Sequence, residues 1–331
     1  MMKKIVTAIA ILATLAAGYL AGISRSEQST LGSKPAIKYD DTVKLSWDQA
    51  FREVQIPSSI DSEKQKAYFY ATTASTPMPL VVSLHTWSSD YTQKDTISVL
   101  AKNKNWNYIH PDFRGRNVRP EACCSKYVTS DIDDAISYAI RNAHVDTNAI
   151  YVMGASGGGM ATLNTFMKSK HRIKKFSAWV PVTDLKKFYD HGIIMKNKYP
   201  KEVIACTDSL NEQELKSRSP LYQITPVEKL SSSKILICAG VYDGLQGSVP
   251  ISSTINFYNK ILKDLKVTDQ KYYVSDLEKA MLYNQSKPEG DFGSVGGREV
   301  FLRKEYKNIT LIIFKGNHEM LPEFAFENLE K

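Results

Sequence analysis

The chain has 331 residues, 43% hydrophobic and 24% charged, with a formal net charge of +8. That balance is ordinary for a soluble globular protein and sets aside a long disordered region, and the length suits one large α/β domain. The cations are scattered, and the densest group, Lys168, Lys170, His171, Arg172, Lys174 and Lys175, follows a predicted helix and reads as a solvated helix C-terminus. No basic stripe interleaved with aromatics points to nucleic acid.

In chain order, Lys3 and Lys4 precede an apolar run from Ile5 to Ile23, and Ser24, Arg25, Ser26, Glu27 and Gln28 follow it. A basic start, an apolar middle and a polar exit describe a secretory signal, and the run is near the ~20 residues that cross a bilayer as a helix. The expected organisation is therefore a signal peptide or N-terminal anchor over 1–23, a polar linker over 24–44 and a catalytic domain over 45–331. Export to a periplasmic or extracellular site is expected, with membrane contact only through an uncleaved anchor.

Strands and helices then alternate. Phe51 to Ile56 and Lys66 to Thr72 read as an antiparallel hairpin, and Pro79 to Leu84 as a short apolar strand. A helix is predicted over Thr92 to Lys102, a strand over Trp106 to Pro111 and an amphipathic helix over Thr129 to Asn142. In that last helix Asp131, Asp133 and Asp134 fall in the first turn, where acids suit the dipole. Strands at Ala149 to Met153, Phe176 to Val180, Lys234 to Gly240 and Ile309 to Phe314 follow, with helices from Gly157 to Met167, Pro250 to Lys266 and Pro322 to Leu329. Such alternation implies a mostly parallel twisted sheet with helices on both faces. Two excursions, Leu185 to Lys229 and Lys266 to Tyr306, read as cap-like walls of a substrate site.

The chemistry centres on Gly154-Ala155-Ser156-Gly157-Gly158, set between a strand and a helix. That context makes a nucleophile elbow: a sharp, strained turn lifts the Ser156 hydroxyl clear, and the Gly157 N–H faces an oxyanion. His318, just after the last strand, is the candidate base. Asp243, after the strand Lys234 to Gly240, is the candidate orienting acid, with Asp184 its rival as an acid and the bland role for either a turn or helix-cap aspartate. The second oxyanion donor is expected from His85-Thr86-Trp87, with the Trp87 N–H preferred and Thr86 the alternative. Trp87 could also wall an acyl pocket. Asp112 and Arg114 are near enough to form an ion pair within their loop. Cys238 reads as a buried thiol, Cys206 as a partner for Cys123 or Cys124, and no cysteine spacing resembles a zinc site. The chemistry needs no metal and no organic cofactor.

The elbow, the Asp112-Phe113-Arg114-Gly115 segment, Tyr242-Asp243-Gly244 and Gly316-Asn317-His318-Glu319 together resemble the catalytic domain of the prolyl oligopeptidase family, over about residues 45 to 331. They also resemble exported bacterial carbohydrate esterases that share that domain. The resemblance implies an α/β-hydrolase fold and the triad Ser156, Asp243 and His318. Prolyl oligopeptidases carry a β-propeller before this domain, and the stretch before residue 45 is too short to hold one. An ester substrate, an acyl group on a small molecule or polysaccharide, is therefore the expectation. A serine peptidase and a non-catalytic binding relative are the alternatives.

Overall fold

The computed structural model describes residues 46–207 and 209–331. The expected leader and linker over 1–44 lie outside the described residues. Strand β1 (Arg52–Pro57) pairs antiparallel with β2 (Lys64–Tyr70), as the hairpin pattern predicts. Six strands then run parallel to one another: β3 (Met78–Leu84), β4 (Asn107–Pro111), β5 (Val145–Ala155), β6 (Lys175–Trp179), β7 (Lys234–Gly240) and β10 (Ile309–Phe314). Two more, β8 (Ser294–Val295) and β9 (Arg298–Tyr306), extend one edge antiparallel. The order across the sheet is β1-β2-β4-β3-β5-β6-β7-β10-β9-β8. This is the α/β-hydrolase arrangement, and its strands β4 and β6 are buried along their whole length, as sheets covered on both faces require.

The helices flank the sheet. Helix α1 (Thr96–Asn103) packs with α9 (Pro322–Glu327), and α2 (Lys126–Asn142) packs with α3 (Gly157–Lys168). Helix α7 (Ile251–Asp264) lies on β7. Capping decides two starts that the sequence pattern misplaces. Asp95 accepts the Ser98 N–H at 2.8 Å, so α1 begins at Thr96. Ser125 caps α2 by accepting the Tyr127 N–H at 3.2 Å, so the helix starts before Asp131, Asp133 and Asp134. These three aspartates are therefore not first-turn dipole partners. Asp131 pairs with Arg114, Asp133 accepts the Lys170 N–H, and Asp134 accepts the Ser59 N–H.

The first excursion is a helical cap: α4 (Leu185–Ile194), α5 (Tyr199–Thr207), α6 (Glu212–Arg218) and two 3-10 turns, with α4 and α5 packed together. The second departs from expectation. It contains α8 (Asp276–Tyr283), but it ends in β9, an integral strand paired with β10 over six registered positions. That segment is sheet edge and not lid.

Candidate active site

Ser156 sits between the end of β5 and the start of α3 with φ 57° and ψ −119°. A non-glycine residue in that region carries strain on the order of 1–3 kcal/mol, held in place by its surroundings. Its N–H donates to the Trp179 carbonyl at 2.9 Å and its own carbonyl accepts from Met160 at 2.9 Å. The turn is clamped on the end of β3. A Cβ on Gly158 would stand 2.3 Å from the Leu84 oxygen, and one on Gly157 would stand 2.6 Å from the Trp87 nitrogen. Glycine at 157 is thus a requirement of close approach, and it brings the Gly157 and Trp87 backbones together beside Ser156.

Asp243 and His318 meet above the neighbouring strands. Asp243 follows β7; its Oδ1 accepts the Gly244 and Val249 N–H groups at 2.9 and 3.1 Å, and its Oδ2 lies 2.8 Å from His318 Nδ1. The carboxylate is 1% exposed and the imidazole 16%. A buried acceptor on Nδ1 fixes which ring nitrogen is left for proton transfer. The loop carrying His318 is held on both sides. Tyr242 N–H donates to the Gly316 carbonyl at 3.0 Å, and Glu319 bonds the Asn317 N–H at 3.0 Å and Arg298 of β9 at 3.1 Å. The unforeseen edge strand therefore anchors the histidine loop. Ser156, Asp243 and His318 each leave the carboxyl end of a parallel strand, where open α/β sheets bind ligands.

The oxyanion side separates the two sequence candidates. The Thr86 N–H donates to Gln93 Oε1 at 2.8 Å, so it is occupied, and Thr86 falls away as a donor. Among the described residues, the Trp87 N–H has no acceptor. It shares a trans peptide unit with the Thr86 carbonyl, which accepts the Ser89 N–H at 3.2 Å and lies 2.9 Å from His85 Nδ1. With that oxygen held on one side, the N–H faces the other. The His85 ring is buried, stacks on Phe113 at 3.9 Å, and has its Nε2 2.8 Å from the Asp112 carbonyl.

The Trp87 indole does not wall an open pocket. It is 1% exposed, packed edge-on against Phe188 of α4, and its Nε1 donates to Glu202 of α5 at 2.8 Å. Asp184 is a helix cap: it accepts the Lys187 N–H at 3.1 Å and the Tyr222 hydroxyl at 2.7 Å. Arg114 does not pair with Asp112. It reaches Asp61, Glu63 and Asp131 instead, from a backbone with φ 80°. Of the two possible partners for Cys206, Cys123 is the bonded one, while Cys124 and Cys238 are buried thiols. Burial pushes the Cys124 thiol up to about 12. A cavity of about 240 Å³ beside Asp243, lined by His191, Leu245, Ile251, Leu282 and Tyr283 among others, offers apolar room next to the site.

A strained serine on an elbow, an aspartate-held histidine and two neighbouring backbone N–H groups thus stand at one end of an α/β-hydrolase sheet. The family model for the prolyl oligopeptidase family matches residues 94–276, and the chain belongs to that family. The match includes Ser156 and Asp243 and stops before His318. No curated protein matches the chain. Among solved structures it is similar to the acylaminoacyl peptidase of Pyrococcus horikoshii, at 17% identity and a TM-score of 0.52 over 65% of this chain and 35% of that one. It is also similar to a puromycin-hydrolysing peptidase of Mycobacterium tuberculosis, at 14% and 0.55 over 86% and 39%. Oligopeptidase B of Leishmania major gives 12% and 0.54 over 85% and 36%. The chain thus spans little more than a third of the length of these relatives, and identities this low speak for the fold.

Proposed function

We propose that this protein is a serine peptidase that cleaves short peptides or N-acylated amino acid derivatives through Ser156, His318 and Asp243. The observation that carries the reading is the 2.8 Å contact between His318 and buried Asp243, set above the same sheet edge as the strained Ser156. Ser156 Oγ attacks the carbonyl carbon and gives its proton to His318 Nε2. The Gly157 and Trp87 N–H groups hold the oxyanion, and Asp243 stabilises the imidazolium. The C–N bond breaks as His318 protonates the leaving nitrogen. Water then attacks the acyl-enzyme with His318 again as base. An amide needs this second proton transfer more than an ester does, and an acid locked onto Nδ1 supports it.

The peptidase reading is placed ahead of the ester preference drawn from the sequence because the matched family and the solved relatives named above are peptidases, which supports it. The leader-like run Ile5 to Ile23 supports a periplasmic or extracellular place of action, where a disulfide such as Cys123–Cys206 persists. Ser156→Ala is expected to lower kcat by about 10⁴- to 10⁶-fold. The test pairs that variant with a substrate panel of aminoacyl p-nitroanilides and acetylated sugars. Faster turnover of the sugars would reinstate the esterase, and undiminished turnover by Ser156→Ala would remove Ser156 as nucleophile.

A further inference from the structure

We propose that Glu202 and Asn117 are positioning residues for the oxyanion donor at Trp87, and that the Cys123–Cys206 disulfide joins these two supports into one frame. The inference rests on the reading of Ser156 as nucleophile and the Trp87 N–H as oxyanion donor.

Trp87 is gripped at both ends. Its carbonyl accepts the Asn117 N–H at 3.0 Å and the Asn117 side-chain amide at 3.3 Å. Its indole N–H, nearly as buried as a side chain gets, donates to Glu202 Oε2 at 2.8 Å. The other Glu202 oxygen pairs with Lys198 at 3.1 Å, and Lys198 reaches the Ser88 hydroxyl at 2.7 Å. Glu202 therefore holds Trp87 directly and its neighbour Ser88 through Lys198.

The two grips are not independent. Asn117 Oδ1 accepts the Cys123 N–H at 2.7 Å, and Cys123 is bonded to Cys206. Cys206 lies four residues after Glu202 on α5, so both point from one face of that helix. The path from the Trp87 carbonyl through Asn117, Cys123, Cys206 and Glu202 to the Trp87 indole is a closed ring, with one covalent link between the cap and the loop that follows β4. A backbone donor has no side chain of its own to aim it. Here the ring, together with the fixed Thr86 carbonyl, leaves its peptide little freedom to rotate. A pre-aimed donor costs no reorganisation as charge develops, so the frame acts on the transition state more than on the bound substrate.

The test uses the full chain, p-nitrophenyl acetate as a general acyl donor and phenylboronic acid as a probe that forms a tetrahedral adduct on an active serine. Glu202→Ala and Asn117→Ala are each expected to lower kcat about tenfold to hundredfold, within the loss typical of an oxyanion donor, with KM changed less than about threefold. Boronate affinity should fall in parallel. Glu202→Gln, which keeps an acceptor for the indole N–H, should recover most of the loss. Trp87→Phe, which keeps the backbone N–H but removes its indole anchor, should match Glu202→Ala, and the double variant should lose no more than either alone. If an alanine variant does not fold, reduction of the disulfide in the wild-type protein reads the same frame, and kcat should fall there with KM held. Labelling of wild-type Ser156 by a fluorophosphonate separates the layers. No labelling overturns the underlying reading. Labelling together with wild-type kcat and boronate affinity in Glu202→Ala, Asn117→Ala or the reduced protein overturns the positioning roles.

Discussion

A methyl group at residue 247 would stand 2.3 Å from Asp243 Oδ1 and 2.6 Å from His318 Cβ. The loop after β7 thus presses on the acid–base pair with only a hydrogen where any other residue has a carbon. Gly247→Ala is expected to force the pair apart by a fraction of an ångström and to lower kcat by about 100-fold, with little change in thermal midpoint because the loop is at the surface. Activity within twofold of wild type would mean that the loop yields instead. At this scale the sequence was informative where chemistry and chain order coincide. Ser156, Asp243 and His318 stand in short glycine-flanked loops after apolar strands, and their order is that of α/β-hydrolases. Nothing comparable marks Asn117 or Glu202. Each acts through one tertiary hydrogen bond to Trp87, and no local pattern encodes a contact between residues 30 or 115 positions apart. The sequence preferred Trp87 but left Thr86 as an alternative donor, and only the tertiary contact with the Gln93 side chain shows the Thr86 N–H to be occupied.

Among elements, the β1–β2 hairpin illustrates how a buried charge ties pieces together. Arg114 is fully buried, with its guanidinium bonded to Asp131 of α2 at 2.6 Å and to Asp61 and Glu63 of the hairpin turn at 2.8 and 2.5 Å. Ser58 at the end of the hairpin adds a 2.5 Å bond to Asp131. Arg114→Met would leave the 1%-exposed Asp131 carboxylate without its cation, which costs about 3–5 kcal/mol for a buried pair. Urea unfolding should show that loss, and Asp131→Leu added to Arg114→Met should recover part of it; a loss under about 1 kcal/mol would mean that water replaces the arginine. The helices and parallel strands were legible because their apolar runs are long and their turns carry Gly, Asp or Pro. Strand β9 was not. Arg298, Glu299, Arg303, Lys304 and Glu305 break its hydrophobic pattern, and it is a strand because Val300 and Leu302 pack inward while β10 supplies the pairing.

For the whole molecule, acid sensitivity has one clear source in the core. Burial, with a smaller contribution from nearby His85, pushes the His110 imidazole down from 6.5 to about 3. The unfolded chain therefore takes up a proton that the folded one refuses, and stability is full above pH 6.5 and lost as pH falls from there toward 3. The loss should approach about 1.4 kcal/mol per pH unit in that window. The difference in unfolding free energy between wild type and His110→Phe, followed from pH 7.5 to 4.5, should change by that slope; a difference independent of pH would assign the acid response to other groups. The disulfide shapes the molecule in another way. It closes a loop of 83 residues that contains Ser156, worth about 4–5 kcal/mol of unfolded-state entropy, and excludes Asp243 and His318. A protease that nicked the backbone anywhere inside that circuit would leave the two fragments bolted together, so no single cut between Cys123 and Cys206 lets the nucleophile drift away from its partners.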